Sequence, residues 1–126
     1  MLGGKQAAAT IPVRDLKKAK QFYETTLGLE VSDDAQEPEA VTYKSGSSNV
    51  LVYRSQYAGT NKATAATWGV GKDIERIVQE LKGKGVEFEH YNMPGMTLKG
   101  DVHVADGMKA AWFKDPDGNI LALVSE

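Results

Sequence analysis

The sequence predicts an α+β fold of two tandem βαβββ units, closing into a cup of mixed sheet with the helices on its outer face. Three observations predict it. An apolar strand leads into an acidic residue and a helical stretch twice: Ile11-Pro12-Val13 before Asp15-Leu16, and Trp68-Gly69-Val70 before Asp73-Ile74. Each helical stretch ends at glycine and a short strand, Gly28-Leu29-Glu30-Val31 in one copy and Gly85-Val86-Glu87-Phe88 in the other. Each unit closes on a turn and a strand that opens with asparagine, Asn49 to Tyr53 and Asn119 to Leu123. At 126 residues the whole chain, 1–126, suits one domain: repeat one at about 5–55, a linker at about 56–63 and repeat two at about 64–126.

Taken in order, residues 6–13 alternate as a strand, with Ala7, Ala9, Ile11 and Val13 on one side. Asp15 suits a helix N-cap, and Leu16, Ala19, Phe22, Tyr23 and Leu27 recur at helical spacing before Gly28. A short strand (29–32), an acidic loop (33–39) and a hairpin with arms at 40–44 and 49–54 complete the first unit. The second unit begins with a strand at 64–70 and a helix at 73–83, with Ile74, Ile77, Val78 and Leu81 on one face. A strand at 86–91 follows. Residues 92–107, with Pro94, Gly95, Gly100 and Gly107, read as a long loop. The last hairpin turns through Asp115-Pro116-Asp117-Gly118, where proline presets φ and glycine accepts a positive one.

Composition narrows the function. A net charge of −2 gives no footprint for nucleic acid. The absence of cysteine excludes disulfides, thiolate catalysis and Cys-ligated zinc. The opening Met1-Leu2-Gly3-Gly4-Lys5 carries no long apolar segment, so the expected compartment is cytoplasmic, with no membrane partner.

Two stretches carry a resemblance: Val13-Arg14-Asp15-Leu16 with Phe22-Tyr23 and Leu27-Gly28-Leu29, and Trp112-Phe113-Lys114-Asp115-Pro116-Asp117-Gly118-Asn119-Ile120-Leu121. Together they resemble the signatures of the vicinal oxygen chelate superfamily, which contains glyoxalase I, extradiol dioxygenases, fosfomycin-resistance enzymes and bleomycin-resistance proteins. The resemblance implies a cup fold and, in catalytic members, one divalent metal held by His, Gln or Glu from four strands. Carried onto this chain, those positions are Ala8, Ala65, Val52 (or Leu51 if the register slips by one) and Ala122. None offers a lone pair, so the expectation is no metal and no cofactor, as in the non-metal binding members.

Strand parity places Ala8, Thr10, Val52, Ala65, Thr67 and Ala122 on the cup face, with Trp68 and Val70 against the second helix. The candidate ligand-binding residues are therefore Thr10, Tyr43, Val52, Thr67, Tyr91, Met93, His103, Met108, Trp112 and Ala122. Trp112, Tyr43 and Tyr91 supply aromatic area, the tyrosines with a polar tip; methionines 93 and 108 flank the long segment and adapt to varied surfaces. Each also has a plainer reading as half-buried strand or filler. Of the two histidines, His90 reads as a rim residue. His103 reads by default as an exposed loop histidine, and is also the one candidate for acid–base chemistry or for donating a hydrogen bond to a ligand carbonyl. Lys17, Lys18 and Lys20 read as a solvated helix face.

The expected function is metal-independent binding of a hydrophobic aromatic small molecule, such as an antibiotic, by sequestration, with a homodimer implied by the resemblance. The alternatives are a glyoxalase-like lyase or dioxygenase, or a metal-free enzyme using His103, and an accessory or regulatory domain.

Overall fold

The computed structural model describes residues 1–32 and 38–125. Alternation gives strand β1 (Ala9–Val13), with Ile11 and Val13 fully buried and Thr10 exposed. Asp15 caps helix α1 (Leu16–Lys20), its carboxylate accepting from the Lys18 N–H at 3.1 Å. The helix then widens into a π-helical segment, Gln21–Thr26, closed by Leu27 N–H donating to the Phe22 carbonyl at 2.9 Å. The wider turn shifts the helical phase, and two consecutive aromatics pack inward: Phe22 meets Tyr23 edge-on at 5.2 Å and approaches Phe113 at 6.4 Å. Gly28, at φ +76°, turns the chain out of the helix.

Strands β2 (Glu30–Val31), β3 (Ala40–Ser45) and β4 (Ser48–Arg54) complete the first sheet in the order β1-β4-β3-β2, with β1 and β4 parallel. Most of the predicted acidic loop, 33–37, lies outside the described residues. The second sheet combines β5 (Thr64–Gly69), β6 (Phe88–Glu89), β7 (Thr97–Lys99), β8 (Val102–Ala105), β9 (Met108–Lys114) and β10 (Ile120–Val124). Its order is β5-β10-β9-β8-β7, with β6 on the same edge of β9 as β8. Helix α2 (Ile74–Gly83) buries Ile74, Val78 and Leu81. The fold is thus the predicted α+β arrangement. No helix among the described residues is long and apolar enough to cross a membrane.

Two expectations are corrected. The segment 92–107 is not a structureless loop: it holds the β7–β8 hairpin, turning at Gly100 with φ +65°. Its glycines mark turns between short paired strands, which is why the periodicity there is hard to see. The strand predicted over 86–91 contracts to Phe88–Glu89, because β8 occupies the neighbouring stretch of the β9 edge at residues 108–110.

The two sheets meet within the chain, where edge strands β1 and β5 run side by side. The Asp115–Gly118 turn of the second unit locks onto the first. Asn119 Nδ2 donates to the Pro12 carbonyl at 2.7 Å, and Arg14 N–H donates to Asp117 Oδ1 at 3.1 Å. Linker residue Gly59 lies against the same turn at φ +74°, where an added Cβ would sit 2.0 Å from the Asp117 carbonyl oxygen. One continuous apolar cluster, including Ile11, Val13, Tyr23, Val52, Ile74, Phe113 and Leu121, runs through both units.

Candidate functional site

Strand register divides each sheet into a core face and a cup face. In the first sheet Ile11, Val52 and Val41 form one buried rung, and the next rung, Thr10–Leu51–Thr42, faces the other way. In the second sheet Trp68–Leu123–Ala111 packs toward the core, while Thr67–Ala122–Trp112 forms the matching cup rung.

This geometry corrects two predicted site residues. Val52 is fully buried on the core side, since it is the register partner of Ile11; Leu51 takes the cup position. Matching Asn49 to Asn119 caused the error: Asn49 lies inside β4, whereas Asn119 belongs to the turn before β10, and β10 is irregular against β5 at Ile120/Leu121. Tyr43 is also fully buried in the core. It stacks on Tyr23 at 6.1 Å and donates from Oη to Glu24 at 2.8 Å; burial and that carboxylate hold its phenol well above the usual range.

The remaining candidates fall into two groups. Thr10, Thr67, Trp112 and Ala122 lie on the cup face, Ala122 and the neighbouring Ala110 both buried there. Met93 and Met108 are exposed, Met108 lining a separate depression beside the start of α2. Trp68 sits on the core side as expected, its Nε1 donating to Ser45 Oγ at 2.9 Å. It borders a cavity of about 520 Å³ between α2 and the tip of the β3–β4 hairpin, which contains none of the predicted site residues.

Tyr91, His103 and Trp112 form one aromatic cluster. Trp112 meets His103 edge-on at 4.9 Å and Tyr91 at 5.5 Å, and the Tyr91 and His103 rings stack at 6.2 Å. His103 is not the exposed loop residue of the default reading; it lies in β8 with 1% of its surface exposed. The β9 edge explains its position. Past β6 the chain has no strand partner, and His103 Nε2 receives the Tyr91 N–H at 2.9 Å, with the Tyr91 carbonyl 3.2 Å away. A backbone N–H can only donate, so Nε2 presents its lone pair and the ring proton resides on Nδ1. Nδ1 and Tyr91 Oη are both buried and have no hydrogen-bond partner among the described residues. Burial, and then the charge of Glu89, raise the pKa of the Tyr91 phenol and keep it protonated. Trp112 Nε1 makes one long bond, 3.3 Å, to Thr64 Oγ1.

Thr64, Ala110 and Glu89 were missed in the sequence, and Leu51 stood only as the alternative to Val52. Period-two alternation outward from Trp112 signals Ala110, and from Tyr91 signals Glu89; Leu51 and Thr64 needed the register. His90 is a rim residue as predicted, but it is engaged: its Nε2 lies 2.7 Å from Asp101, which also pairs with Lys82 of α2 at 2.6 Å.

The model of the Glyoxalase/Bleomycin resistance protein/Dioxygenase superfamily matches residues 5–123. The chain belongs to this superfamily. Among curated proteins it is similar to the uncharacterized protein YetH of Bacillus subtilis (strain 168), 27% identical over 117 residues, covering 88% of this chain and 89% of that one. Among solved structures it is similar to a glyoxalase family protein of Enterococcus faecalis, with TM-score 0.72, 23% identity and coverage of 98% and 99% of the two chains. The fosfomycin resistance protein FosX of Listeria monocytogenes has TM-score 0.72 and 14% identity, covering 99% and 92%. These structures share the glyoxalase fold.

The superfamily's metal chemistry can be tested against the residues here. With the register corrected, the relevant positions are Ala8, Leu51, Ala65 and Ala122, all hydrocarbon side chains. A divalent ion needs oxygen, imidazole or thiolate donors, and no group of three His, Cys, Asp or Glu side chains that could hold one occurs among the described residues. The donor set does not fit a metal.

Proposed function

We propose that this glyoxalase-superfamily chain binds a hydrophobic aromatic small molecule in its cup without a metal and acts by sequestering it, as in drug-binding resistance. The observation that carries the reading is the pairing of a hydrocarbon floor (Ala122, Ala110, Leu51) with an aromatic wall (Tyr91, His103, Trp112) on the cup face. A flat guest gains free energy there by desolvation and by offset or edge-on ring contact. The proposed working form is a cytoplasmic homodimer, which sedimentation analysis checks.

A metal-free enzyme with His103 as general base is the competing reading, motivated by the buried unpaired Nδ1. The hydrogen bond from the Tyr91 N–H disfavours it: with Nε2 occupied and Nδ1 protonated, the ring has no free lone pair to take a proton.

Elemental analysis of the purified protein, with tryptophan fluorescence during titration by a panel of aromatic natural products, tests the proposal. The expected result is no stoichiometric metal and saturable quenching that Trp112→Phe removes, with each ligand recovered unchanged. One tightly bound metal per chain, or conversion of the ligand, overturns it.

A further inference from the structure

We infer that His103 Nδ1–H and Tyr91 Oη–H form a buried polar anchor that selects aromatic ligands bearing a neutral carbonyl oxygen. The inference rests on the reading of the cup as an aromatic-ligand site and specifies the ligand class.

Buried donors in native proteins find acceptors, and one left unpaired costs roughly the desolvation of the group. This wall holds two, on rings that stack against each other, and both present hydrogen rather than a lone pair as their scarce resource. His103 donates because Nε2 is committed to the Tyr91 N–H. Tyr91 donates because it remains a phenol. The complement of two neutral donors is an oxygen acceptor.

Charge then separates a carbonyl from an anion. Glu89 is the register partner of Trp112, and its carboxylate disfavours negative charge on Tyr91. Lys114, half-exposed, pairs with Glu89 at 3.6 Å. A carboxylate or phenolate ligand would bring a second negative charge next to Glu89, whereas a ketone or quinone oxygen would not. Both anchor atoms are buried, so a ring must move for a ligand to reach them. Trp112 is that ring: it is half-buried and held by a single long bond to Thr64. Its displacement would expose the two donors and leave the indole free to cover the guest.

Three probes of one size test this: 1-acetonaphthone, 1-ethylnaphthalene and 1-naphthoate, titrated calorimetrically into the full-length protein. The ketone should bind at least tenfold tighter than the hydrocarbon and than the naphthoate. Tyr91→Phe, which removes only the hydroxyl, should reduce the preference for the ketone at least threefold. In the unmodified protein, saturation with the ketone should shift the ¹⁵N resonance of His103 Nδ1 and the emission maximum of Trp112. Equal affinity for ketone and hydrocarbon, tightest binding of naphthoate, or an unmoved Nδ1 resonance overturns the anchor. If none of the three binds while compounds of the natural-product panel do, the anchor fails and the aromatic-cup reading stands. If neither set binds, both fail.

Discussion

Tyr23 Oη donates to Asp115 Oδ2 at 2.8 Å, joining the first helix of repeat one to the closing turn of repeat two across 92 residues of sequence. Asp115 is the hub of that turn. Its Oδ1 accepts from the N–H groups of Asp117 (3.0 Å) and Asn119 (2.9 Å), and its Oδ2 also accepts from Asn119 Nδ2 at 2.8 Å. Asn119 in turn reaches the Pro12 carbonyl, so one buried carboxylate organises both the turn and the seam between the repeats. Tyr23→Phe removes a single donor from this network. A hydrogen bond to a buried charged group contributes roughly 1.5–3 kcal/mol, and urea unfolding should show a loss of that size with an unchanged m-value.

Two aspartates should titrate in opposite directions. Asp115 is raised above the ordinary aspartate range, burial outweighing the hydrogen bonds from Asn119 and Tyr23. Its contribution to stability is therefore full below its unfolded-state pKa and is lost as pH rises through the raised folded value. Asp101 is lowered, by its bonds from Lys82 and His90. Its contribution is present above the unfolded-state pKa and is lost as pH falls through the lowered folded value. Carboxyl ¹³C shifts followed by NMR should place the two midpoints on opposite sides of about pH 4. Asp101→Asn should remove the Asp101 share of the acid-side dependence and loosen the β7–β8 hairpin, seen as faster amide exchange at Val102–Ala105.

Gly59→Ala should destabilise the chain by at least about 2 kcal/mol, because left-handed strain and a collision with backbone add together. Gly46 is a control: its φ is also positive, at +57°, but nothing lies within 4 Å of an added Cβ. Thermal unfolding should rank Gly59→Ala well below Gly46→Ala, and a reversal would mean the linker does not clasp the Asp115–Gly118 turn.

The corrected register is tested by adjacent substitutions. Val52→Glu places a carboxylate in the fully buried rung beside Ile11, and an unpaired buried charge costs about 3–5 kcal/mol, a large share of a domain's stability, so near-ultraviolet circular dichroism should be lost at far lower urea than in the unmodified chain. Leu51→Glu points to the cup and should keep the native spectrum. The opposite pattern would restore the first register.

Several features of the site were legible because they depend on local chemistry. Asp15 caps its helix, and Gly28 adopts the left-handed turn expected of a C-cap. Trp68 is on the core side, and Thr10, Thr67 and Ala122 share the cup face, because strand side chains alternate with period two whatever surrounds them. The same rule failed at Val52, where matching Asn49 to Asn119 set the count off by one residue, and a one-residue slip exchanges the faces of a strand. His103 was legible as a residue of interest, but its burial and its bond to the Tyr91 amide were not.

By itself the sequence determined the duplicated α+β plan, the superfamily and the hydrocarbon character of the would-be metal positions, since these follow from periodicity, turn chemistry and side-chain type. Only the tertiary structure decided which residues meet. Competition of β6 and β8 for one edge of β9 makes His103 the partner of the Tyr91 amide, and that pairing of distant backbone leaves Nδ1 and Tyr91 Oη buried beside Trp112. Hydrogen-bond satisfaction at a sheet edge depends on every strand that reaches it, and no local pattern in the chain encodes that.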